Sequence, residues 1–259
     1  MPEDGRRIIL ATATPVNRAA TGLEPRRRAG AACCVLFVME RQREMQVAYY
    51  QASIPAFLLA NDSEILGKLT RVHGFVLEQG QRDAWLEEIS IMRQAVFNLQ
   101  MGHILFEFAI PRVGKRADVV LVVCGIIFIL EFKTSATFEP SAIEQAYDYA
   151  LDIKNFHRGS HELPIVPFLV ATRAGKRGEQ EPQWALDMVA APLLANPDEL
   201  PQSIDRVIKS IGGAPIDFDA WVSSGYQPSL RLWRPPRLFI SSMGSRRSHA
   251  RMRAPEILA

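Results

Sequence analysis

Cysteine is scarce in this sequence: Cys33, Cys34 and Cys124 are the only three in 259 residues. Three cysteines so placed make neither a disulfide framework nor a paired CxxC zinc site, and a reducing cytoplasm is the compartment that suits them. Long apolar runs are missing too. No uninterrupted stretch reaches the ~18–20 residues of a membrane-spanning helix, so no membrane partner is expected. The phosphate-loop motif G-x-x-x-x-G-K-[ST] is absent, since Gly67-Lys68, Gly114-Lys115 and Gly175-Lys176 each lack the rest of it. ATPase activity is therefore not expected of this polypeptide. There is no Ser-His-Asp order with a nucleophile turn. His157-x-x-x-His161 has metal-ligand spacing, but Gly159 interrupts it and no third ligand clusters nearby, so zinc is not expected either.

Lysine is absent from both ends of the chain. Residues 1–44 carry eight arginines and five acids, and residues 231–259 carry seven arginines and one acid. The middle, 45–230, holds 15 basic and 22 acidic groups, a net of −7. The overall charge of +2 thus says little about the folded part and is no nucleic-acid signature. With 48% hydrophobic and 22% charged residues, most of the chain has the composition of a packed core.

Globular patterning begins near Gln46. Residues 1–45 have no sustained period and are expected to be disordered or a non-native extension, with a native start near Met45. The basic cluster Arg26–Arg28 before an apolar run superficially resembles a signal peptide. Glu40, Arg41 and Arg43 stand where a cleavage site belongs, which argues against one. Ser53–Ala60 reads as a short helix. Asp62-Ser63 can cap a helix over Glu64–Phe75. Trp85, Ile89, Met92, Val96 and Leu99 recur at helical spacing within a helix over Gln79–Leu99.

Three strands follow: His103–Ile110, Ala117–Cys124 and Ile126–Phe132. Their short connections demand antiparallel hairpins. A helix over Pro140–Phe156 and a strand over Ile165–Ala171 come next, and that connection is long enough for a parallel crossover. Helical stretches are expected around Trp184–Leu194 and Ile204–Ile211. Cys124 is expected as an inert thiol inside an apolar strand.

Asp118, Glu131 and Lys133 carry the chemistry. Residues 131 and 133 leave the same face of the most apolar strand. Asp118, on the neighbouring hairpin strand, can reach that face. Two carboxylates and an ammonium would converge there, where an unpaired charge is costly. Asp118 and Glu131 offer hard oxygen ligands for Mg2+ or Mn2+. Lys133 can orient a water or stabilise a phosphorane-like transition state. A structural ion pair fits the same pattern.

Glu88 borders the packing face of its helix and offers a third carboxylate; alternatively it is solvated beside Glu87. Gln145 and Tyr149, four apart on the next helix, share a face. They can touch the lysine or a nucleic-acid backbone, or be an ordinary half-exposed pair. Arg112, Lys115 and Arg116 crowd the turn before Asp118, where they can bind phosphates or remain solvated.

Asp118…Glu131-Phe132-Lys133, with Gln145-x-x-x-Tyr149 after and Glu88 before, resembles the PD-(D/E)XK nuclease superfamily, and Gln-x-x-x-Tyr resembles its RecB-like branch. Longer stretches are similar to the N-terminal region of a Schlafen group 3-like DNA/RNA helicase family. They include Ala48-Tyr-Tyr-Gln-Ala-Ser-Ile54, Phe106–Asp118, Asp148–His157 and Trp221–Pro228. The residue before Asp118 is Ala117 where the superfamily usually has proline.

The resemblance implies an α/β, restriction endonuclease-like core: helix, three-strand antiparallel meander, helix, fourth strand, and flanking helices. It implies a nuclease-like domain over 46–229, Mg2+ or Mn2+ as cofactor and DNA or RNA as partner, with a helicase/ATPase module acting in trans. Asp118, Glu131 and Lys133 would be catalytic. Asp118, Glu131 and Glu88 would hold metal. Arg112, Lys115, Arg116, Gln145 and Tyr149 would hold nucleic acid. The alternatives are a non-catalytic binding or docking module that needs the missing motor, and a degraded product without a function. The pattern stops after Pro228, and 230–259 is expected to be a disordered basic tail. It is read either as a frameshift product or as a genuine arm binding nucleic acid without sequence preference.

Overall fold

Hydrophobic pattern dictates a mixed α/β fold, and the structure, a computed structural model, has one. It describes residues 47–73, 79–110 and 114–229, all within one unit, Gln46–Ala259. The elements in chain order are β1 (Tyr50–Ser53), α1 (Ile54–Leu59), α2 (Asp62–His73), α3 (Gln79–Val96), β2 (His103–Ala109), β3 (Arg116–Val123) and β4 (Ile126–Lys133). They continue with α4 (Pro140–Phe156), β5 (Ile165–Ala171), β6 (Leu193–Ala195), α5 (Leu200–Ile211) and α6 (Phe218–Val222). One sheet of order β1-β2-β3-β4-β5-β6 runs through the domain. β1 to β4 are antiparallel neighbours, and β5 and β6 continue parallel to β4. No helix among the described residues is long and apolar enough to cross a membrane.

The central strands are apolar on both faces because helices cover both. Ile126, Phe128, Leu130 and Phe132 of β4 join Ile54, Phe57, Trp85, Ile89, Met92 and Ile204 in one core. Ile127 and Ile129 join Tyr149, Ile153 and Trp221 in the other. The spacing of three and four along α3 puts Trp85, Ile89, Met92 and Val96 on its buried face. Truncating a fully buried aromatic such as Phe57 or Trp85 to alanine costs about 3–5 kcal/mol.

The β3–β4 hairpin turns on two residues. Cys124 and Gly125 both have positive φ, 49° and 74°, which is the requirement of the tightest hairpin turn. Cys124 therefore sits in the turn, half-buried, rather than inside a strand. This turn pairs Val123 with Ile126 and, four rungs on, Val119 with Leu130.

Some elements differ from the sequence reading. The helix expected around Trp184–Leu194 does not form. Trp184 bridges to Ala190, Val189 bridges to Ile165, and Leu193–Ala195 is β6. The chain reverses at Met188, whose φ is 64°, and Leu186 projects fully into solvent. Pro192 removes the amide that a helix through it would need. Pro167 is tolerated inside β5 because the edge facing β6 is unpaired between Val189 and Leu193. The cap of α2 is Asn61, whose Oδ1 accepts from the Glu64 amide at 2.7 Å, one residue earlier than expected. β1 and α6 carried too little pattern to be read.

The last described segment is latched onto α4 through a buried histidine. His157 Nδ1 and Ser160 Oγ are 2.8 Å apart, and Trp221 Nε1 donates to the same Oγ at 3.0 Å. Ser224 Oγ stands 3.3 Å from His157 Nε2. The Gln227 amide donates to the Phe156 carbonyl and that of Ser229 to the Asn155 carbonyl. Burial, with the charge of His161, lowers the His157 pKa to about 4. The unfolded chain then binds the proton more readily between pH 6.5 and 4, so the latch loses stability as pH falls through that window. The loss is about 3 kcal/mol, complete near pH 4. Trp221 emission should shift over this range in the wild type and stay flat in His157→Gln. A wild-type signal independent of pH would contradict the latch.

Candidate active site

Glu131 and Lys133 end the most apolar strand, and the hairpin register sets Asp118 one rung beyond the Val119–Leu130 pair, opposite Glu131. The sequence-expected residues meet there. Lys133 Nζ donates to Glu131 Oε1 at 2.8 Å. Gln145 Nε2 donates to the same oxygen at 2.7 Å and lies 2.8 Å from Tyr149 OH. The Phe132 amide donates to Asp118 Oδ2 at 2.8 Å, which ties β4 to β3 through a side chain. Gln145 and Tyr149 are one turn apart on α4, and that helix packs where both reach β4.

Glu131 is 2% exposed, and its Oε2 has no hydrogen-bond partner. Thr172 Oγ1 is the other such buried atom among the described residues. Thr172 follows β5, and its amide donates to the Lys133 carbonyl at 2.9 Å, so both orphaned oxygens belong to the same end of the sheet. Buried polar atoms of folded proteins are normally satisfied, so a pair of exceptions in one place calls for a ligand or water.

Glu88 is buried, not solvated. Its neighbour Glu87 is the one engaged at the surface, by Arg173 at 2.6 Å. Lys115 Nζ stands 5.7 Å from the Tyr149 ring centroid, and the Arg116 guanidinium lies 4.1 Å from that of Tyr49. The charge of Lys115 reaches Glu131, whereas Arg116, the first residue of β3, is held by Tyr49 and the Glu107 carbonyl. Arg112 lies outside the described residues.

Glu107 was not singled out in the sequence, and it belongs to the site. Its Oε1 accepts from Trp85 Nε1 at 2.9 Å, and its carbonyl accepts from Arg116 Nη1 at 2.5 Å. Its φ is 54°, a strained value for a residue with a side chain. The β2–β3 ladder pairs Phe106 with Val119 and Phe108 with Ala117 but skips Glu107 and Asp118 between them. The side-chain alternation flips at this step. Ile104 and Phe106 face one core while Leu105 and Phe108 face the other. The strain thus sits at the rung that carries two carboxylates. The one signal in the sequence was an acid inside the apolar run Phe106-Glu107-Phe108.

The electrostatics are those of too many carboxylates for one ammonium. Burial, then the charge of Glu131, pushes Asp118 up to about 8, against the pull of the Phe132 amide. Burial, then the charges of Asp118, Glu107, Glu131 and Glu87, holds Glu88 well above the ordinary range. Burial also raises Glu131, though the hydrogen bond and charge of Lys133 oppose it. Burial works against the Lys133 ammonium, but Glu131 and Asp118 outweigh it and the pKa rises. Lys133 stays charged at neutral pH.

No group of three or more His, Cys, Asp or Glu among the described residues could hold a metal ion as it stands. A set of two carboxylates completed by waters and phosphate is nevertheless sufficient for Mg2+. Asp118 and Glu131, with one buried oxygen left open, fit that smaller set. No family model, curated protein or solved structure gives a significant match to the chain.

The Asp118 shift has a testable sign. Its folded pKa, about 8, lies above the ordinary 3.8, so its contribution to stability is full below about pH 4 and is lost as pH rises through 8. In chelator at alkaline pH, Asp118→Asn should unfold at a higher temperature than the wild type. At pH 4 the two should agree within about two degrees. A variant less stable than the wild type at alkaline pH would contradict the buried-charge account.

Proposed function

We propose that this domain is a metal-dependent nuclease that hydrolyses phosphodiester bonds of nucleic acid. The observation that carries the proposal is the open, buried Oε2 of Glu131 opposite Asp118, with the Lys133 ammonium on the same face. The resemblance to PD-(D/E)XK nucleases of the RecB-like branch, with a restriction endonuclease-like core, agrees with it. The Schlafen group 3-like helicase resemblance extends it to a domain working with a helicase/ATPase module in trans.

Asp118 and the free oxygen of Glu131 would hold Mg2+ or Mn2+, and Glu88, expected as a third ligand, would add its nearby charge rather than a ligand atom. The ion, when bound, supplies positive charge to the phosphate and acidifies a bound water. Gln145 fixes the Glu131 carboxylate from the other side, so that Oε2 alone is presented. Lys133 lies within reach of the same carboxylate and offers a positive charge to the oxygens of the phosphate in the transition state. In the reaction a water oxygen bonds to phosphorus, and the bond from phosphorus to the leaving oxygen breaks. The water's proton passes to solvent, and the leaving oxygen gains one. Lys115 and Arg116 would pair with flanking phosphates.

A second reading, a binding or docking module that requires the motor, is favoured by the net −7 of residues 45–230. That charge weakens nonspecific attraction to phosphate. The two readings separate in one assay. The full chain is incubated with single- and double-stranded DNA and RNA in Mg2+, Mn2+ or chelator, beside Asp118→Ala and Lys133→Ala. Metal-dependent cutting should fall at least about a hundredfold in both variants. A folded wild type that cuts nothing would overturn the nuclease proposal in favour of the module.

A further inference from the structure

Three strands meet at the end of the sheet that carries the carboxylates. β3 begins where β4 ends, because the two are antiparallel, and β5 ends beside β4, with Ala171 paired to Lys133. The order across that end is therefore Lys115 ahead of β3, then Asp118 with Glu131 and Lys133, then the segment that leaves β5. Lys115 supplies a cation on one side, and its charge reaches Glu131. The other side holds a basic loop.

That loop, residues 172–178, has three cations and no acid, in a region with 22 acids against 15 bases. Backbone bonds tie its start to the end of β4. The Thr172 amide donates to the Lys133 carbonyl at 2.9 Å, and the Arg173 amide donates to the Ser135 carbonyl at 3.0 Å. Further on, the Arg177 guanidinium lies 5.2 Å from the centroid of the half-buried Phe138 ring. The loop and residues 133–138 thus form one lip that starts at Lys133 itself.

The lip is fixed in shape by its own anchors. Asn196, buried just past the end of β6, donates to the Ala174 carbonyl at 3.2 Å. The Glu199 carboxylate accepts from the Arg177 amide at 3.0 Å and from the Gly178 amide at 2.7 Å. The φ of Gly178 is 83°, which lets two successive amides converge on one carboxylate. Lys176 stands at the tip between these anchors. A loop so held loses little freedom when its side chains engage a ligand.

The neighbouring acids are engaged elsewhere. Arg173 is taken by Glu87 at 2.6 Å. Glu179 and Glu181, which follow the loop, are drawn to Arg206 of α5 at 2.7 and 3.7 Å. Glu139, the acid of residues 134–139, accepts from Thr137 Oγ1 at 2.6 Å. The charge of Lys176 reaches Glu199, whose carboxylate is turned to the two amides. Lys176 and Arg177 are exposed, and among the described residues no carboxylate lies within ion-pair distance of either. Cations so placed on the rim of a site for phosphodiesters complement a phosphate backbone.

We propose that Lys176 and Arg177 form the second half of a phosphate track, so that a nucleic-acid backbone crosses the sheet end from Lys115 to this lip and passes over Asp118 and Glu131. Phe138 is a positioning residue that holds Arg177. The proposal rests on the nuclease reading for the site in the middle. It adds the direction in which the substrate lies and the residues that grip it on the β5 side.

The test reads binding apart from hydrolysis, with the full chain. Labelled oligothymidylate, oligouridylate and a duplex of equal length are titrated in chelator at several salt concentrations, with polyglutamate as a polyanion that lacks phosphate. The proteins are wild type, Lys176→Gln/Arg177→Gln, the charge-keeping Lys176→Arg/Arg177→Lys, and Lys68→Gln/Arg71→Gln. The last removes as many charges from α2, beside β1 at the other edge of the sheet. Unfolding curves accompany each, and Lys176→Gln alone decides if the glutamine pair does not fold. The glutamine pair should bind nucleic acid at least about tenfold more weakly, with a slope of log affinity against log salt for oligothymidylate shallower by about 1.4, two contacts at ~0.7 each. The charge-keeping pair and the α2 pair should match the wild type.

Weaker binding with an unchanged salt slope would mean a structural role and overturns the proposal. So does an equal loss in the α2 pair, binding indifferent to the glutamine pair, or no binding by the folded wild type. Polyglutamate held as tightly through the same two residues also overturns it, in favour of an acidic protein partner. Hydrolysis of bis(p-nitrophenyl) phosphate by the wild type and by Asp118→Ala in Mn2+ tests the nuclease reading separately. If that hydrolysis depends on Asp118 while strand binding ignores Lys176 and Arg177, the lip proposal falls and the nuclease reading stands. If nothing is hydrolysed yet binding follows the two cations, the nuclease reading falls and the lip stands as a nucleic-acid contact.

Discussion

The register of the β3–β4 hairpin governs where every charged group of the site stands. Cys124 and Gly125 turn the chain in two residues with positive φ, and no other register fits so short a turn. Counting rungs from that turn places Asp118 against Glu131. A slip of one residue would send Glu131 and Lys133 to the opposite face, into the core built by Trp85, Phe128 and Phe168. That slip is prohibitive because it would bury both charges among apolar side chains without partners. The packing that stabilises the sheet and the placement of the carboxylates are thus the same constraint.

Against that scaffold the site is electrostatically unfavourable. Glu88 and Glu131 are buried and Asp118 is half-buried, with Glu107 adding its charge; among the described residues Lys133 is the cation in direct contact, through Glu131. Buried charges without full compensation cost several kcal/mol, so the surrounding core must supply the difference. Glu107 adds backbone strain at the same rung. Unsatisfied oxygen, raised carboxyl pKa and backbone strain thus coincide at one end of the sheet, where the proposed cation would offset them.

Much of this was legible in the sequence because the informative elements were long or fully apolar. The helical repeat of Trp85, Ile89, Met92 and Val96 gave α3, and the run Ile126–Phe132 gave a strand buried on both faces. The two-residue spacing of Glu131 and Lys133 gave their shared face. The parts that escaped are short or set by distant contacts. β1 is four residues whose pairing to β2 supplies its structure. Residues 184–194 show spaced apolar side chains, yet Leu186 is exposed and Val189 pairs with β5, so tertiary pairing overrode the pattern. Glu107 was hidden because its role depends on a positive φ and on Trp85, 22 positions away.

The open oxygen of Glu131, with Asp118 opposite, is the proposed cation site. Mn2+ binding to the full chain, followed by electron paramagnetic resonance at neutral pH, addresses it without requiring any substrate. The account requires a bound Mn2+ signal in the wild type that is lost in Asp118→Asn and Glu131→Gln and retained in Lys133→Gln. Absence of binding by the folded wild type, or binding unchanged by both carboxylate substitutions, would contradict it and leave Asp118, Glu131 and Lys133 as a structural ion-pair cluster.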